Sequence, residues 1–491
     1  MATRAFIALI SAVAVALSGA LFAPPATAAA APGGPAATLA TGTLRLGGAD
    51  RYATAIQVSK TYAPGVSAVY VATGANFPDA LSAAAAASLV DGPLLLTPTA
   101  TLPDAVANEI LRLQPEHIYA IGGTGAVSEK TFNALAEIAP TTRLGDVDRY
   151  STGLQIVDTA FTAANTAFIA TGRSFPDALA ATGAAGSLEA PVILVDGALG
   201  SVPGRVLDTL EGLGVENIEI AGGTGAVSLA IENQLSQRYT VTRHGGGDRY
   251  ETTARINEAF FPDGSTDTMF LATGANFPDA LAGAALAGSL GAPLYVTAPT
   301  CVPDSVRLSI ARLGATTQVI MGGTSIVSDN AARNDGCLAS SAPKISGVAK
   351  VGSTLKAAPG AWTAGTAFSY QWLAGGKAIA GAKSTSLTLS ASHVGQAITV
   401  RIVGTKSGYT SVTRVSGPTS KVAKATPAPK PSRTTPIPGT SNCPSWAPIK
   451  GNASSMIYHI PSGAFYSRTN PEECFSTESA ARDAGYRKSK R

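Results

Sequence analysis

From residue 68 onward the hydrophobic positions fall into two kinds of run. Short unbroken apolar blocks at 68–72, 94–97 and 117–121 alternate with longer stretches at 77–90, 103–113 and 129–138. An unbroken apolar block of this length suits a strand buried on both faces. Such strands separated by helices predict a parallel sheet covered on both sides. Beyond residue 342 the period changes. Phe368, Tyr370 and Trp372, then Leu387 and Leu389, then Ile398, Val400 and Ile402 occupy every second position. Period two with Gly-rich turns predicts a β-sandwich over 343–424, with Trp372 in its core.

The α/β pattern repeats three times. Asp-Arg-Tyr occurs at 50–52, 148–150 and 248–250, at spacings of 98 and 100 residues. Ala-Thr-Gly followed by Phe-Pro-Asp-Ala-Leu spans 72–81 and returns at 170–179 and 272–281. A Gly-Gly-Thr block ending in Val-Ser spans 121–128 and returns at 221–228 and 321–328. A unit near 100 residues is domain-sized, so the chain reads as an array of small domains rather than a solenoid. The expected repeats are 44–141, 142–241 and 242–340.

Each block has a structural and a functional reading. Asp79, Asp177 and Asp279 follow a Pro at a helix start, where negative charge is favoured. Asp50, Asp148 and Asp248 open a second helix as caps. Arg51, Arg149 and Arg249 either hold a phosphate or carboxylate bidentately or form ion pairs between repeats. Few other cations are near, since Lys occurs in the repeats only at Lys60 and Lys130. The Gly123–Ser128 turn mimics a phosphate loop, but it is Gly-x-Gly-x-x-Ser, which argues against a dinucleotide site. His244-Gly-Gly-Gly mimics a lipase oxyanion motif, yet the other copies lack it and no Gly-x-Ser-x-Gly occurs. Four scattered His have no partner at catalytic or metal-ligand spacing. No catalytic residue, metal or cofactor is expected.

These three blocks resemble the type 2 cell-wall-binding repeat over about 43–340. The resemblance implies three Rossmann- or flavodoxin-like modules in a pseudo-threefold arrangement. It also implies non-covalent attachment to an anionic secondary cell-wall polymer or peptidoglycan, for which the guanidinium chemistry makes Arg51, Arg149 and Arg249 the candidate contacts, beside their alternative as ion pairs between repeats. Ligands of open α/β sheets sit near the strand ends.

Charge sharpens this picture. The chain's formal net charge of +4 is a cancellation: residues 44–341 hold 16 basic and 28 acidic side chains, and 342–491 hold 19 and 4. Attraction to a polyanion by the repeats is therefore local rather than global. The basic carboxyl part suits longer-range attraction. Residues 1–28 read as a secretory signal, with Arg4, an apolar run and an Ala-Thr-Ala cleavage site, followed by a disordered start over 29–43. Export to the wall or cell surface follows, with no membrane insertion after cleavage. The four cysteines then become candidates for disulfides. Neighbouring pairing, Cys301–Cys337 and Cys443–Cys474, is the simplest of three connectivities. Cys443, His459 and Cys474 otherwise make an incomplete zinc set.

The run around Tyr370-Gln-Trp372 resembles immunoglobulin-like modules of secreted actinobacterial proteins. Pro-rich residues 425–442 read as a linker. Residues 443–491, through Ile457-Tyr-His459-x-Pro461, Tyr466-x-x-Thr469 and Glu473-Cys-Phe475, resemble the small sunset domain. The sequence points to an exported, non-enzymatic wall-binding protein without nucleic-acid specificity. The competing classes are a peptidoglycan hydrolase of the amidase kind and an adhesin or effector presented by the repeats. Oligomeric state is not read from the sequence.

Overall fold

A computed structural model describes residues 34–35, 39–76, 78–426 and 431–490. The signal expected at 1–28 lies outside the described residues, as does most of the start expected at 29–43. The described chain forms two compact units. One holds the repeats up to Ser341 with Ala361–Ser369 and Val403–Thr413, and the other holds Ala342–Gly360, Tyr370–Ile402 and the chain from Arg414.

The first repeat contributes β1 (Gly42–Leu46), α1 (Arg51–Ser59), β2 (Ala68–Thr73), α2 (Pro78–Leu89), β3 (Leu94–Thr97), α3 (Asp104–Leu113), β4 (His117–Ile121) and α4 (Glu129–Ala136). The second contributes β5 (Thr141–Leu144), α5 (Arg149–Ala160), β6 (Thr166–Thr171), α6 (Pro176–Ser187), β7 (Val192–Val195), α7 (Gly204–Gly212), β8 (Asn217–Ala221) and α8 (Leu229–Leu235). The third contributes β9 (Thr240–His244), α9 (Arg249–Phe260), β10 (Thr268–Thr273), α10 (Pro278–Ser289), β11 (Leu294–Thr297), α11 (Asp304–Leu313), β12 (Thr317–Met321) and α12 (Asp329–Ala332). The central strands are buried along their length, as their continuous apolar sequences require.

Three parallel sheets result, in the orders β3-β2-β4-β5, β7-β6-β8-β9 and β11-β10-β12-β1. Each sheet is completed by the first strand of the next repeat. The third is completed by β1, whose Gly42–Leu46 pairs with Thr317–Met321. The strand therefore begins inside the segment expected to be disordered, because those backbone groups find partners at the far end of the repeat array. The three modules form a closed ring through exchanged strands.

At the centre of the ring α2, α6 and α10 pack on one another. These helices are apolar on every side and built from Ala, Gly and Ser, so they are buried all round and approach closely. Ser88, Gly186 and Gly288 occupy equivalent positions on the three helices. A Cβ on Gly186 would lie 2.3 Å from the Gly288 Cα.

The chain beyond the repeats is rich in β-structure. Lys344–Ser346, Thr354–Ala358 and Ser386–Thr388 form one antiparallel sheet. Trp372 is fully buried and its indole N–H donates to the Ser384 carbonyl at 2.9 Å. The last module is a five-stranded sheet around Tyr458, Phe475 and Tyr486. The segment expected to be a linker over 425–442 is not linker throughout. Arg433–Thr434 pairs antiparallel with Cys474–Phe475 at the sheet edge, where a Pro-rich chain is tolerated. Both disulfides join neighbouring cysteines, Cys301–Cys337 and Cys443–Cys474. The bond removes Cys443 and Cys474 as metal ligands. Among the described residues no group of acidic, His and Cys side chains is placed to hold a metal, and no helix is long and apolar enough to cross a membrane.

Candidate functional site

The strand exchange brings the three recurring blocks together. One cleft of about 420 Å³ is lined by Ser174, Pro176 and Asp177 of the second repeat, its Gly223–Ala226 turn, and Gly246–Arg249 of the third. A second, of about 230 Å³, joins Asn276, Pro278, Asp279 and the Gly323–Ile326 turn of the third repeat to Gly48–Arg51 of the first. At the third junction Arg149 acts on Asp79 of the preceding repeat. Each junction therefore combines the Phe-Pro-Asp and Gly-Gly-Thr blocks of one repeat with the Asp-Arg-Tyr block of the next.

Local chemistry fixes each part. Asp50 caps α1 by accepting from the Ala53 N–H at 2.8 Å, and Asp148 and Asp248 each accept two N–H groups at the starts of α5 and α9. Ser128, Ser228 and Ser328 cap α4, α8 and α12, which accounts for Ser at the end of the Gly-x-Gly-x-x-Ser turn. Gly122, Gly222 and Gly322 all hold positive φ. A Cβ there would also meet an Oδ2 of Asp79, Asp177 or Asp279 at 2.7, 2.7 and 2.9 Å. Only Gly satisfies both demands.

The three Asp of the Phe-Pro-Asp block sit in the first turns of α2, α6 and α10. Burial raises the carboxyl of each above its ordinary range, opposed by Arg149, Arg249 and Arg51 respectively, and Asp177 is pushed up to about 6. The Arg side chains are themselves oriented. Arg149 donates to the Gly172 carbonyl at 2.8 Å, and Arg51 and Arg249 donate to the equivalent Gly74 and Gly274 carbonyls. Arg51 and Arg249 also lie 5.9 Å over the rings of Phe277 and Phe175, each from the preceding repeat in the ring. Half-buried or exposed, each guanidinium has more donors than its carbonyl partner takes.

A family model described as cell wall binding domain 2 (CWB2) matches residues 45–132, 143–232 and 243–332. The chain belongs to the CWB2 family. Beyond the CWB2 repeats, a second model, described as ArfC, matches residues 427–488. The chain is 29% identical over 289 residues to the N-acetylmuramoyl-L-alanine amidase LytC of Bacillus subtilis (strain 168), covering 59% of this chain and 57% of that protein. It is 28% identical to the amidase enhancer of the same organism, covering 58% of this chain and 39% of that one. Among solved structures, Cwp6 from Clostridium difficile matches with a TM-score of 0.55 at 29% identity, over 60% of this chain and 47% of that one. Cwp8 from the same organism matches with a TM-score of 0.54 at 27% identity, over 58% and 50%. The chain thus spans roughly half the length of these relatives. Its repeats belong to a cell-wall-binding family.

The CWB2 junctions also contain a set of Arg that motif reading passed over. Arg45, Arg143 and Arg243, at the ends of β1, β5 and β9, each donate to the carbonyl of Gly322, Gly122 or Gly222 in the preceding repeat. They also pair with Asp329, Glu129 and Glu232. They fasten the Gly-Gly-Thr turn to the exchanged strand. The signal was an Arg at the same place in all three copies. His244 forms a 2.7 Å pair with Glu219, so the His-Gly-Gly-Gly run is a local variation within the second CWB2 sheet.

Proposed function

We propose that the protein holds to the wall non-covalently and without catalysis, by seating an anionic secondary wall polymer or peptidoglycan in the clefts between its repeats. Arg51, Arg149 and Arg249 are the anion contacts in this reading. The observation that carries it is the convergence of all three recurring blocks, from two successive repeats, on one solvent-open cleft beside an oriented guanidinium. The buried or half-buried carboxyl next to each Arg supports it, since costly charged groups gather at functional sites. The repeats are net acidic, so recognition is short-range and geometric.

In this reading the segment at 1–28 exports the chain to the wall, 343–424 is an immunoglobulin-like sandwich, and 443–491 is a sunset-like module. Neither nucleic acid nor bilayer is a partner. The test is retention on purified walls before and after removal of phosphate-containing polymer. Binding that falls at least tenfold on the stripped walls supports an anionic secondary polymer. Equal binding to both moves the ligand to peptidoglycan. A second reading, peptidoglycan hydrolysis, is favoured by the similarity to LytC. Release of amino sugar or peptide from purified peptidoglycan by the protein would establish it.

A further inference from the structure

The last module contains a cleft unrelated to the repeats. It is about 430 Å³, and its lining includes Asn452, His459, Phe465, Arg468, Thr469 and Asn470. No carboxylate lines it. Glu472, Glu473 and Glu478 are engaged elsewhere, with the Ala453 N–H, Arg433, and Tyr458 and Lys488.

The wall of this cleft is held in place before any ligand arrives. Lys450 is 3% exposed, and its ammonium donates to the Tyr466 and Thr469 carbonyls at 3.2 Å each. The Tyr466 hydroxyl donates to the Pro448 carbonyl at 2.6 Å, and the Thr469 hydroxyl to the Phe465 carbonyl at 2.8 Å. This pinned turn presents Phe465, a large apolar ring left 41% exposed, next to the exposed Arg468. Arg468 forms no ion pair among the described residues.

His459 lies opposite Lys450 on the neighbouring antiparallel strand. Its Nδ1 is buried and has no hydrogen-bond partner among the described residues. Burial, with the Lys450 charge beside it, lowers the His459 pKa, so the ring is neutral at neutral pH and offers one donor and one acceptor. The Asn452 Oδ1 is taken up by Ser454 and Ser455, leaving its amide N–H groups to donate.

We propose that this cleft binds an anionic saccharide. The Phe465 ring stacks on the apolar face of a sugar, and the Arg468 guanidinium takes its carboxylate or phosphate. His459, Asn452 and Asn470 hydrogen-bond its hydroxyl or acetamido groups. The fixed turn reduces the ordering needed on binding. This proposal is independent of the repeat clefts, and either can fail alone.

The chain has four His, which makes His459 individually observable in the full-length protein. With ¹⁵N-labelled histidine, its ring signals are assigned by His459→Gln. The protein is then titrated with N-acetylglucosaminyl-N-acetylmuramic acid, with a glucosyl glycerol phosphate, and with neutral diacetylchitobiose. A saturable shift of the His459 signals with either anionic sugar is expected, weakened at least tenfold by Arg468→Ala and by Phe465→Ala. The muramic sugar acting alone marks peptidoglycan as the source, and the phosphate-bearing sugar marks a wall polymer. The His459 signals of each ligand-free variant, little moved from wild type, report that the last module remains folded. No shift with either anionic sugar overturns the proposal. So does an equal response to diacetylchitobiose or inorganic phosphate, or a response that survives Arg468→Ala.

Discussion

Replacing Asp177 by Asn should remove a pH dependence built into the repeat junction. Asp177 is 9% exposed, and its carboxyl is raised from its ordinary value of 3.8 to about 6 by burial, against the opposing charge of Arg249. The native state therefore holds the proton more tightly than the unfolded chain. Below pH 3.8 both states are protonated and the stabilising contribution is full; it is lost as pH rises through 6. Each tenfold change in proton affinity is worth 1.36 kcal/mol, so ionised Asp177 costs about 3 kcal/mol at pH 7 relative to acid. Asn keeps the shape without the charge. Urea unfolding followed by far-UV circular dichroism reports mainly on the repeats, which hold nearly all the helix. The variant should match wild type near pH 4 and exceed it by about 3 kcal/mol near pH 7. A variant no more stable than wild type at pH 7 would show that ionised Asp177 carries no such cost.

Three further outcomes follow from the same structure. Gly186→Ala puts a Cβ 2.3 Å from the Gly288 Cα at the centre of the ring and should cost about 1–3 kcal/mol or more, whereas Gly212→Ala, with open space around it, should leave the thermal midpoint nearly unchanged. Arg143→Ala removes bonds to the Gly122 and Val127 carbonyls and the contact of its guanidinium 4.6 Å over Phe132. A loss of about 2–3 kcal/mol in urea unfolding is expected. Replacing Cys301 and Cys337 by Ser opens a bond between residues 36 apart in sequence and should cost about 4 kcal/mol, read as the difference in unfolding free energy from the oxidised protein.

The sequence made the modules legible because each signal is local. Unbroken apolar blocks mark the buried strands, and caps such as Asp148 and Ser128 mark helix starts from neighbouring residues alone. The ring closure is not local. β1 pairs with β12, more than 270 residues away, and nothing in Gly42–Leu46 distinguishes a strand of its own sheet from one donated to another. For the same reason the motifs could be read singly but not assembled. Asp177 and Arg249 belong to different repeats, and only the exchanged strand places them at one cleft. Arg45, Arg143 and Arg243 were visible as recurring residues, yet their carbonyl partners lie in the preceding repeat. The edge strand at Arg433–Thr434 was hidden by its Pro-rich surroundings, since one side of pairing is enough at an edge.

Retention on purified walls measures most directly whether the three junction Arg hold an anionic wall polymer. A triple variant, Arg51→Ala, Arg149→Ala and Arg249→Ala, shown folded by circular dichroism, should lose at least tenfold in retention relative to wild type. Undiminished retention by that folded variant would mean that the polymer is held elsewhere.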